Sequence, residues 1–303
     1  MVARPKHMDE NQLMPEDTSC RFCGSNKRVP ITVLQEKPQV WLLECSNCQA
    51  ASASRIPKDK ALEDYYQTYY SSNCDEKITF GGTDRFANHL YSDTIKYLRK
   101  PHLKILDFGG GDGSISVKTS YKLLTAGIEW IDITLVDYNE ILTKIDNQYI
   151  SLTHRKSLDD LPSGNYDLVL ASAIIEHLPQ PKQTLIRLLK LLNDGGVFFA
   201  RTPYVVPLIK LYRILGRKWD FMYPMHLHDL GSEFWNTFLW KMSLDEHFKV
   251  IKSKPSIVEA SLKSRFIRAI ASYTLKAPWY LIGSRYKLVG GWEIFIRKQA
   301  TLS

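Results

Sequence analysis

The chain lacks the features that would place it in a membrane or outside the cell. Its 303 residues contain no run of about 18 apolar residues, the length that a transmembrane helix needs. The amino terminus begins Met-Val-Ala-Arg-Pro-Lys-His and has no apolar signal core. Low-complexity tracts and internal repeats are also absent. With 44% apolar and 24% charged residues, the composition is that of a globular protein, which we expect in the cytoplasm.

Two common nucleotide-binding signatures are missing from the glycine-rich loop at residues 109–113. Gly109, Gly111 and Gly113 have the spacing Gly-x-Gly-x-Gly, whereas a dinucleotide site has Gly-x-Gly-x-x-Gly and a P-loop has Gly-Lys-Ser/Thr. The loop nevertheless follows an apolar segment that contains Asp107. Glycines at alternate positions let a strand turn sharply into a helix and expose backbone amides to a ligand. The loop therefore predicts a nucleotide-type cofactor site after a first parallel strand.

Apolar strands alternate with helices downstream of this loop. Residues 133–137 and 166–172 predict the second and third strands, and residues 197–203 predict the fourth. An amphipathic helix precedes the fourth strand and ends at the Asn-Asp-Gly-Gly turn of residues 193–196. This alternation predicts an α/β fold with a doubly wound parallel sheet. Asp137, at the end of the second strand, is placed to accept hydrogen bonds from ribose hydroxyls.

The ordered set of motifs resembles the class I S-adenosylmethionine-dependent methyltransferases. The resemblance covers residues 101–303 and rests on residues 106–113, Asp137, the stretch 166–178 with its Glu-His-Leu ending, and residues 193–197. It implies a Rossmann-like fold in which the glycine loop holds the methionine end of the cofactor and Asp137 holds its ribose. Ser157 stands where family members often have an adenine-binding acid, so a backbone carbonyl would replace that contact. The implied cofactor residues are Asp107, Gly109, Gly111, Gly113, Asp137, Tyr138, Ser157 and Ser172.

The chain has only five cysteines, and four of them form two Cys-x-x-Cys pairs, Cys20 with Cys23 and Cys45 with Cys48. This spacing is typical of a tetrahedral zinc site, and residues 31–43 between the pairs predict a hairpin. Four cysteine ligands leave no open coordination position, so the zinc would be structural and would stabilise a segment too short to fold alone. Two disulfides in a secreted domain are the alternative, which the missing signal core disfavours. Cys74 remains as a free thiol.

The net charge of +8 is concentrated near the carboxyl terminus. Residues 241–303 contain 12 Lys and Arg against 4 Asp and Glu, and residues 261–276 predict a basic amphipathic helix. Three interpretations are open: a helix packed on the sheet with a solvated basic face, a surface that rests on anionic lipids, or a nucleic-acid surface. We expect a flexible tail over residues 1–15, a zinc-binding module over 16–58, a helical lid or linker over 59–100 and the methyltransferase domain over 101–303. A basic amphipathic insertion would lie at about residues 258–288.

Three histidines are candidates for a general base, which an alcohol acceptor needs near neutral pH. His177 follows the third strand, where it would either accept a proton or only shape the pocket. His226 and His228 precede a predicted helix at residues 232–238, and they would either accept a proton or cap and pack against that helix. Their segment resembles the His-Glu-His segment of sugar methyltransferases that carry an amino-terminal zinc module, with Leu227 in place of the acid. Tyr223 fits a tyrosine often found just before that segment.

Aromatic residues supply further candidates for acceptor contacts. Trp219 lies in the loop before the histidine segment, and Tyr69 and Tyr70 lie where family members place a helical lid. Aromatic faces suit sugar rings, although ordinary packing would explain all three residues equally well.

The leading functional hypothesis is S-adenosylmethionine-dependent methylation of a sugar hydroxyl in a nucleotide- or lipid-linked glycan. The carboxyl-terminal pattern, with Ala-Pro-Trp-Tyr-Leu-Ile at 277–282 and Gly-Gly-Trp-Glu-Ile-Phe-Ile at 290–296, looks like methyltransferases of cell-surface polysaccharide and O-antigen assembly. Carbon methylation of a nucleotide-linked keto-sugar is a close variant. An RNA methyltransferase is disfavoured, because the chain has no amino-methylation motif and no RNA-fold signature. A scaffold that binds no cofactor is the remaining alternative, and the oligomeric state is open.

Overall fold

The computed structural model describes residues 7–72, 82–260 and 266–300, except for the side chains of residues 66–72. The strands are β1 Arg28–Gln35, β2 Val40–Cys45, β3 Ala51–Ala53, β4 His102–Phe108, β5 Trp130–Val136, β6 Ile150–Arg155, β7 Tyr166–Ser172, β8 Leu192–Tyr204, β9 His228–Asp229, β10 Phe248–Pro255 and β11 Gly290–Lys298. The helices are α1 Asp59–Ser72, α2 Thr83–Thr94, α3 Ser114–Thr125, α4 Pro181–Leu191, α5 Val206–Ile214, α6 Ser232–Lys241 and α7 Phe266–Ile282.

A seven-stranded sheet in the order β10-β11-β8-β7-β4-β5-β6 forms the centre of the fold. The five strands from β4 to β8 are parallel, whereas β11 and β10 are antiparallel to their neighbours. Strand β7 is buried along nearly its whole length, because helices cover both faces of a parallel sheet. A separate apolar cluster lies on each face. The predicted Rossmann-like, mostly parallel α/β sheet is confirmed.

The strand order reverses between β4 and β7, and this reversal positions the candidate site. The chain proceeds from β4 through β5 to β6 on one side, then returns to place β7 on the other side of β4. The loops that leave the carboxyl ends of β4 and β7 therefore diverge and leave a crevice between them. In open α/β sheets ligands bind at this topological switch point. The glycine loop follows β4, and His177 follows β7.

A second, four-stranded sheet has the order β1-β2-β3-β9. Strands β1 and β2 form the predicted hairpin, and β3 extends it in antiparallel fashion. The fourth strand, β9, comes from the histidine segment far along the chain, because Ala51 pairs with Asp229 and Ser52 pairs with His228. The amino-terminal module and the segment that carries His226 and His228 therefore share one sheet.

Three features of the fold differ from the sequence-based expectations. The flexible tail predicted over residues 1–15 is wrong from Met8 onward, because Met8 and Leu13 are buried and the Met8 backbone bonds the Gln35 side chain. Strand β10 was not predicted, although it forms the edge of the large sheet beside β11. The basic helix continues to Ile282 through Pro278, and residues 261–265 of its predicted start lie outside the described residues. Cys74 also lies outside them.

Membrane-spanning segments are absent from the described helices: none combines the length and apolar character that crossing a bilayer requires.

Candidate active site

The glycine loop contacts the segment that follows β7. Gly109 donates its backbone N–H to the Val136 carbonyl oxygen at 2.8 Å, which fixes the loop over the end of β5. The φ of Gly109 is +69°, in the left-handed region that favours glycine. A Cβ atom on Gly109 would lie 2.4 Å from Cγ1 of Ile174. Only glycine allows this close approach, which brings the loop against the segment that carries His177.

Asp107 is buried beneath the loop. Its carboxyl packs so closely that a Cβ on Gly110 would lie 2.3 Å from it. Burial raises the pKa of Asp107 to about 6, and its Oδ2 atom has no hydrogen-bond partner among the described residues. A buried oxygen without a donor is costly. The site therefore offers an acceptor for a hydrogen bond that a bound ligand would supply.

Asp137 joins the glycine loop to the end of β5. Its Oδ2 accepts the N–H of Gly111 at 2.8 Å, and its Oδ1 accepts the N–H of Asn139 at 2.8 Å. Burial raises the pKa of Asp137, and these two backbone donors act in the opposite direction. An oriented carboxylate beside a glycine-rich turn fits the ribose contact that the sequence predicts.

Of the four other predicted cofactor residues, Gly113 directly precedes α3, and the remaining three lie at or after the ends of β5, β6 and β7. Tyr138 is 83% exposed, and its side chain is open to solvent. Ser157 is exposed, and its hydroxyl donates to Asp159 at 2.5 Å. Ser172, at the end of β7, accepts a hydrogen bond from Nε of Arg201 at 3.2 Å. Cofactor contacts at these three positions remain predictions.

His177 and His226 meet across the crevice. Their ring centroids lie 5.0 Å apart with an edge-to-face geometry, and the His226 ring also lies 6.2 Å from that of Phe221. His177 donates its Nδ1–H to the Met225 carbonyl oxygen at 2.7 Å. The Leu227 N–H bonds the Glu176 carbonyl oxygen at 2.7 Å. The two segments are thus held together through backbone groups, and His177 lies three residues after Ile174, whose side chain contacts the glycine loop.

Both imidazoles are held in the neutral form. Burial lowers the pKa of His226 to about 3, and the nearby His177 adds to this effect. Burial also lowers the pKa of His177, which backbone carbonyls of Met225 and Ala173 partly oppose. A neutral imidazole has a ring nitrogen that can accept a proton, although a pKa of about 3 lies well below the range in which a general base is most effective near neutral pH.

His228 does not belong to this pair. It is fully buried, with its Nε2–H donating to the Leu178 carbonyl oxygen at 2.8 Å and its Nδ1 accepting from the Ser52 hydroxyl at 2.9 Å. Both ring nitrogens are therefore occupied, and burial lowers its pKa to about 3. The prediction of His228 as a catalytic base is wrong, because its ring bridges β3 to the loop after His177 instead of facing the crevice.

The predicted aromatic contacts lie in the packing of the module. Tyr223 is buried and donates its hydroxyl to the Arg55 carbonyl oxygen at 3.1 Å, so it does not face an acceptor. Trp219 packs edge-to-face on Tyr212, with ring centroids 4.9 Å apart, against the apolar cluster of the module. Tyr69 and Tyr70 lie in α1, but their side chains are outside the described part of the structure.

Glu176 is a site residue that the sequence analysis did not single out. Its carboxyl is 2% exposed, Oε2 has no partner among the described residues, and Oε1 lies 4.0 Å from Nε2 of His177. Burial raises the pKa of Glu176 to about 8. The side chain is therefore protonated at neutral pH, where it can donate a hydrogen bond. The sequence signal that could have identified Glu176 was its position directly before His177.

We expect the stability of the protein to fall as the pH rises from about 4.5 towards 8 in part because of Glu176. Its folded pKa of about 8 exceeds the ordinary value of 4.5, so the native state keeps a proton that the unfolded chain releases. Glu176→Gln should raise the free energy of unfolding at pH 8.5, on the order of a few kcal/mol, and change it little at pH 5. Urea unfolding at both pH values measures this.

The matched control for this substitution is Glu140→Gln, because Glu140 is exposed on the surface. It should follow the wild type at both pH values. Equal stabilisation of the two variants at pH 8.5 would contradict the buried, protonated state of Glu176.

The four predicted cysteine ligands meet at one point. All four Sγ atoms lie within 4.8 Å of one another, with 3.6 Å between Cys20 and Cys48 and between Cys23 and Cys45. Zn–S bonds of about 2.3 Å in a tetrahedron place sulfur atoms about 3.8 Å apart. All four cysteines are free of disulfides, and the Asn47 amide donates to Cys23 Sγ at 3.4 Å. The donor set and spacing therefore fit a tetrahedral metal ion.

The first cysteine turn contacts the loop that follows His177. Arg21 is held by the carboxylate of Asp17, with hydrogen bonds of 2.5 and 2.7 Å, and donates from Nη1 to the Pro179 carbonyl oxygen at 3.0 Å. The neighbouring Leu178 carbonyl accepts the His228 bond described above. The Ala53 N–H bonds the Leu227 carbonyl oxygen at 2.9 Å. The cysteine module thus supports both segments that carry the imidazole pair.

Comparison with known proteins agrees with this geometry. The fold is that of a Rossmann-like α/β protein, with a candidate cofactor site at the switch point. Residues 83–243 match the family model described as a methyltransferase domain, which is 161 of the 303 residues. The chain therefore belongs to the methyltransferase family, whose members of this class transfer a methyl group from S-adenosylmethionine.

Curated relatives and solved structures cover different parts of the chain. The ubiquinone biosynthesis O-methyltransferase of Saccharophagus degradans is 27% identical over 133 residues, which are 43% of this chain and 56% of that protein. Its counterpart in Pseudomonas entomophila is 25% identical over 130 residues, with 42% and 56% coverage. The chain thus spans little more than half the length of these relatives. The plantazolicin methyltransferase BpumL, solved with a triazolic desmethylPZN analog and SAH, has a TM-score of 0.51 at 18% identity, with 78% and 93% coverage, and shares the fold.

Proposed function

We propose that this methyltransferase acts on a sugar hydroxyl of a cell-surface glycan precursor, with His226 as the general base. The observation that carries the proposal is the pair of buried imidazoles, His226 against His177, at the segment after β7 whose Ile174 contacts the glycine loop. A hydroxyl group is a weak nucleophile unless a base removes its proton, and an unprotonated histidine ring nitrogen is a common acceptor of that proton. The curated relatives are named O-methyltransferases, which also favours an oxygen acceptor.

The residues of the crevice fit S-adenosylmethionine, which supplies an electrophilic methyl group when bound. Asp107 offers an unpartnered buried oxygen, Asp137 offers a carboxylate for ribose hydroxyls, and the glycine loop offers bare backbone. These residues bind and orient, and methyl transfer depends largely on such positioning because it is an in-line displacement. His226 would take the hydroxyl proton, while His177, fixed by Met225, would hold the His226 ring in place.

The sugar acceptor is supported by resemblance, since the histidine segment and the amino-terminal cysteine module together resemble sugar methyltransferases. Carbon methylation of a keto-sugar is the second candidate, because the same imidazole could remove a proton next to a carbonyl. The buried Glu176 favours this variant over an RNA substrate. A protonated carboxyl can donate a hydrogen bond to a developing enolate oxygen.

We further propose that the four cysteines bind a structural Zn²⁺ ion. The ion would occupy a site with four thiolates and no open position, so its role would be to hold the module together. The close packing of the sulfur atoms supports this, because all four Sγ atoms lie within 4.8 Å of one another. Four such thiols ionise together only when a cation neutralises them.

Transfer of a labelled methyl group from S-adenosylmethionine tests the acceptor class. Purified protein should label nucleotide-linked or lipid-linked sugars and leave transfer RNA unlabelled. Mass spectrometry and NMR of the product then separate an O-methyl ether from a C-methyl group. Labelling of RNA alone, or of no sugar in a broad panel despite tight binding of S-adenosylhomocysteine, would contradict the proposal.

Replacing His226 tests the base. His226→Gln should reduce kcat roughly a hundredfold or more, because it removes the proton acceptor. The affinity for S-adenosylhomocysteine should stay within about twofold of the wild type, because His226 lies outside the glycine loop. Turnover kinetics and calorimetric titration measure the two effects.

A matched control is His102→Gln, because His102 is exposed at the start of β4 and pairs with Asp132 on the surface. This variant should keep full turnover. Full turnover in His226→Gln as well would exclude His226 as the base.

A further inference from the structure

Helix α7 carries a large apolar surface that faces solvent. The surface, here called the α7 outer face, consists of Phe266, Ile267, Ile270, Tyr273, Tyr280, Leu281 and Ile282. Ile267 is 83% exposed and Leu281 is 87% exposed. Scattered exposed apolar residues are ordinary, but a contiguous set on one helix indicates an interaction site. The Tyr273 hydroxyl accepts a hydrogen bond from Nη1 of Arg85 at 3.2 Å, and all seven side chains of the face are at least 44% exposed.

The opposite side of α7 is firmly attached to the body of the protein. Ala269 and Lys276 are buried, and Nζ of Lys276 donates to the hydroxyl of Ser256 at 3.1 Å. The Trp279 ring packs edge-to-face on Trp292 of β11, with centroids 5.9 Å apart. The helix therefore has a fixed orientation, so the outer face is presented outward by the fold.

The charged residues in the sequence around α7 are all basic. From residue 260 to residue 292 the sequence has no Asp or Glu, whereas it has six Lys and Arg. Two of these cations, Arg268 and Arg285, are exposed on and just after α7. Basic residues beside an interfacial apolar face attract the anionic headgroups of a bilayer.

We propose that the α7 outer face binds the surface of an anionic lipid bilayer. The helix would lie in the plane of the interface, with Ile267 and Leu281 among the acyl chains and Tyr273 and Tyr280 at headgroup level. Charge complementarity favours this occupant over a second copy of the chain, because the basic residues that flank the face in the sequence would repel those of a second copy. The proposal is independent of the acceptor, since the binding of lipid does not depend on what the crevice methylates.

Co-sedimentation of the full-length protein with vesicles tests this proposal. Vesicles of phosphatidylcholine with 30% phosphatidylglycerol should bind the protein roughly tenfold or more better than pure phosphatidylcholine vesicles. High salt should weaken the binding. Arg268→Glu combined with Arg285→Glu should remove most of the preference for anionic vesicles.

A second variant tests the apolar contribution. Ile267→Glu combined with Leu281→Glu should lower vesicle binding roughly tenfold or more, with an unchanged melting temperature because both side chains are exposed. Ile141→Glu is the matched control, since Ile141 is 80% exposed but lies far from α7 in the sequence, after β5. Its vesicle binding should equal that of the wild type.

Two outcomes would overturn the proposal. One is equal sedimentation with neutral and anionic vesicles. The other is a wild-type dimer in light scattering that becomes a monomer in the double glutamate variant, which would assign the α7 outer face to a second copy of the chain.

Discussion

Asp137→Ala should weaken the binding of S-adenosylhomocysteine by roughly 10²- to 10⁴-fold. Two charge-assisted hydrogen bonds to ribose hydroxyls, as proposed for Asp137, would contribute about 3–6 kcal/mol, and the alanine would remove both. The substitution also removes the acceptor for the Gly111 and Asn139 N–H groups, so the glycine loop loses its attachment to the end of β5. Calorimetric titration measures the affinity.

Two further variants make the result interpretable. Asp137→Asn keeps one acceptor oxygen and should therefore show an intermediate affinity. Asp132→Ala is the matched control: Asp132 belongs to the same strand but bonds Ser151 and His102, away from the glycine loop. It should bind S-adenosylhomocysteine like the wild type. If Asp137→Ala also bound normally, the cofactor ribose would have to be held elsewhere.

Removal of the proposed zinc ion from the cysteine cluster should unfold the amino-terminal module and stop methyl transfer. Structural zinc sites contribute about 10–16 kcal/mol to the folding of small domains, far more than the short β1–β2 hairpin can supply alone. Without the ion, Arg21 and Ser52 would lose their fixed positions. The Leu178–Pro179 carbonyls and the His228 ring would then lose the partners that hold the segments of the imidazole pair.

Chelation and substitution should give the same result. A strong zinc chelator, or Cys48→Ser, should lower the melting temperature and reduce turnover to background. Zinc content by elemental analysis should fall together with turnover. Cys74→Ser is the matched control, because Cys74 is the cysteine outside the two pairs. A metal-free protein with unchanged melting temperature and turnover would contradict a structural zinc ion.

Local sequence patterns predicted the parts of the fold that depend on local chemistry. Strand β7 has the predicted bounds, 166–172, because an uninterrupted apolar run in a parallel sheet has few alternatives. The four cysteine Sγ atoms meet at one point, as the two Cys-x-x-Cys pairs predict, because each pair brings two thiols together in one tight turn. The glycine loop could likewise be predicted from its own residues, because its glycines permit the sharp turn between β4 and α3.

Long-range pairing explains what the sequence did not reveal. His228 looked like a base, since two histidines separated by one residue before a helix resemble a catalytic segment. Its actual partner, Ser52, lies 176 residues away and contributes no local signal. Strand β10 was missed because three lysines in eight residues give this edge strand the composition of a loop. Glu176 gained its role only from burial, which a single sequence does not display.

The shared sheet β1-β2-β3-β9 limits which segments of this protein evolution could have exchanged with related chains. A module that contributed only its own strands could be exchanged between related chains as a cassette. Here the loop that carries His226 contributes one strand of the small sheet, so the module and that loop would have to be exchanged together. Recombination that transferred either part alone would leave an exposed strand edge and a mispositioned imidazole. The two segments, distant along the chain, should therefore have changed together.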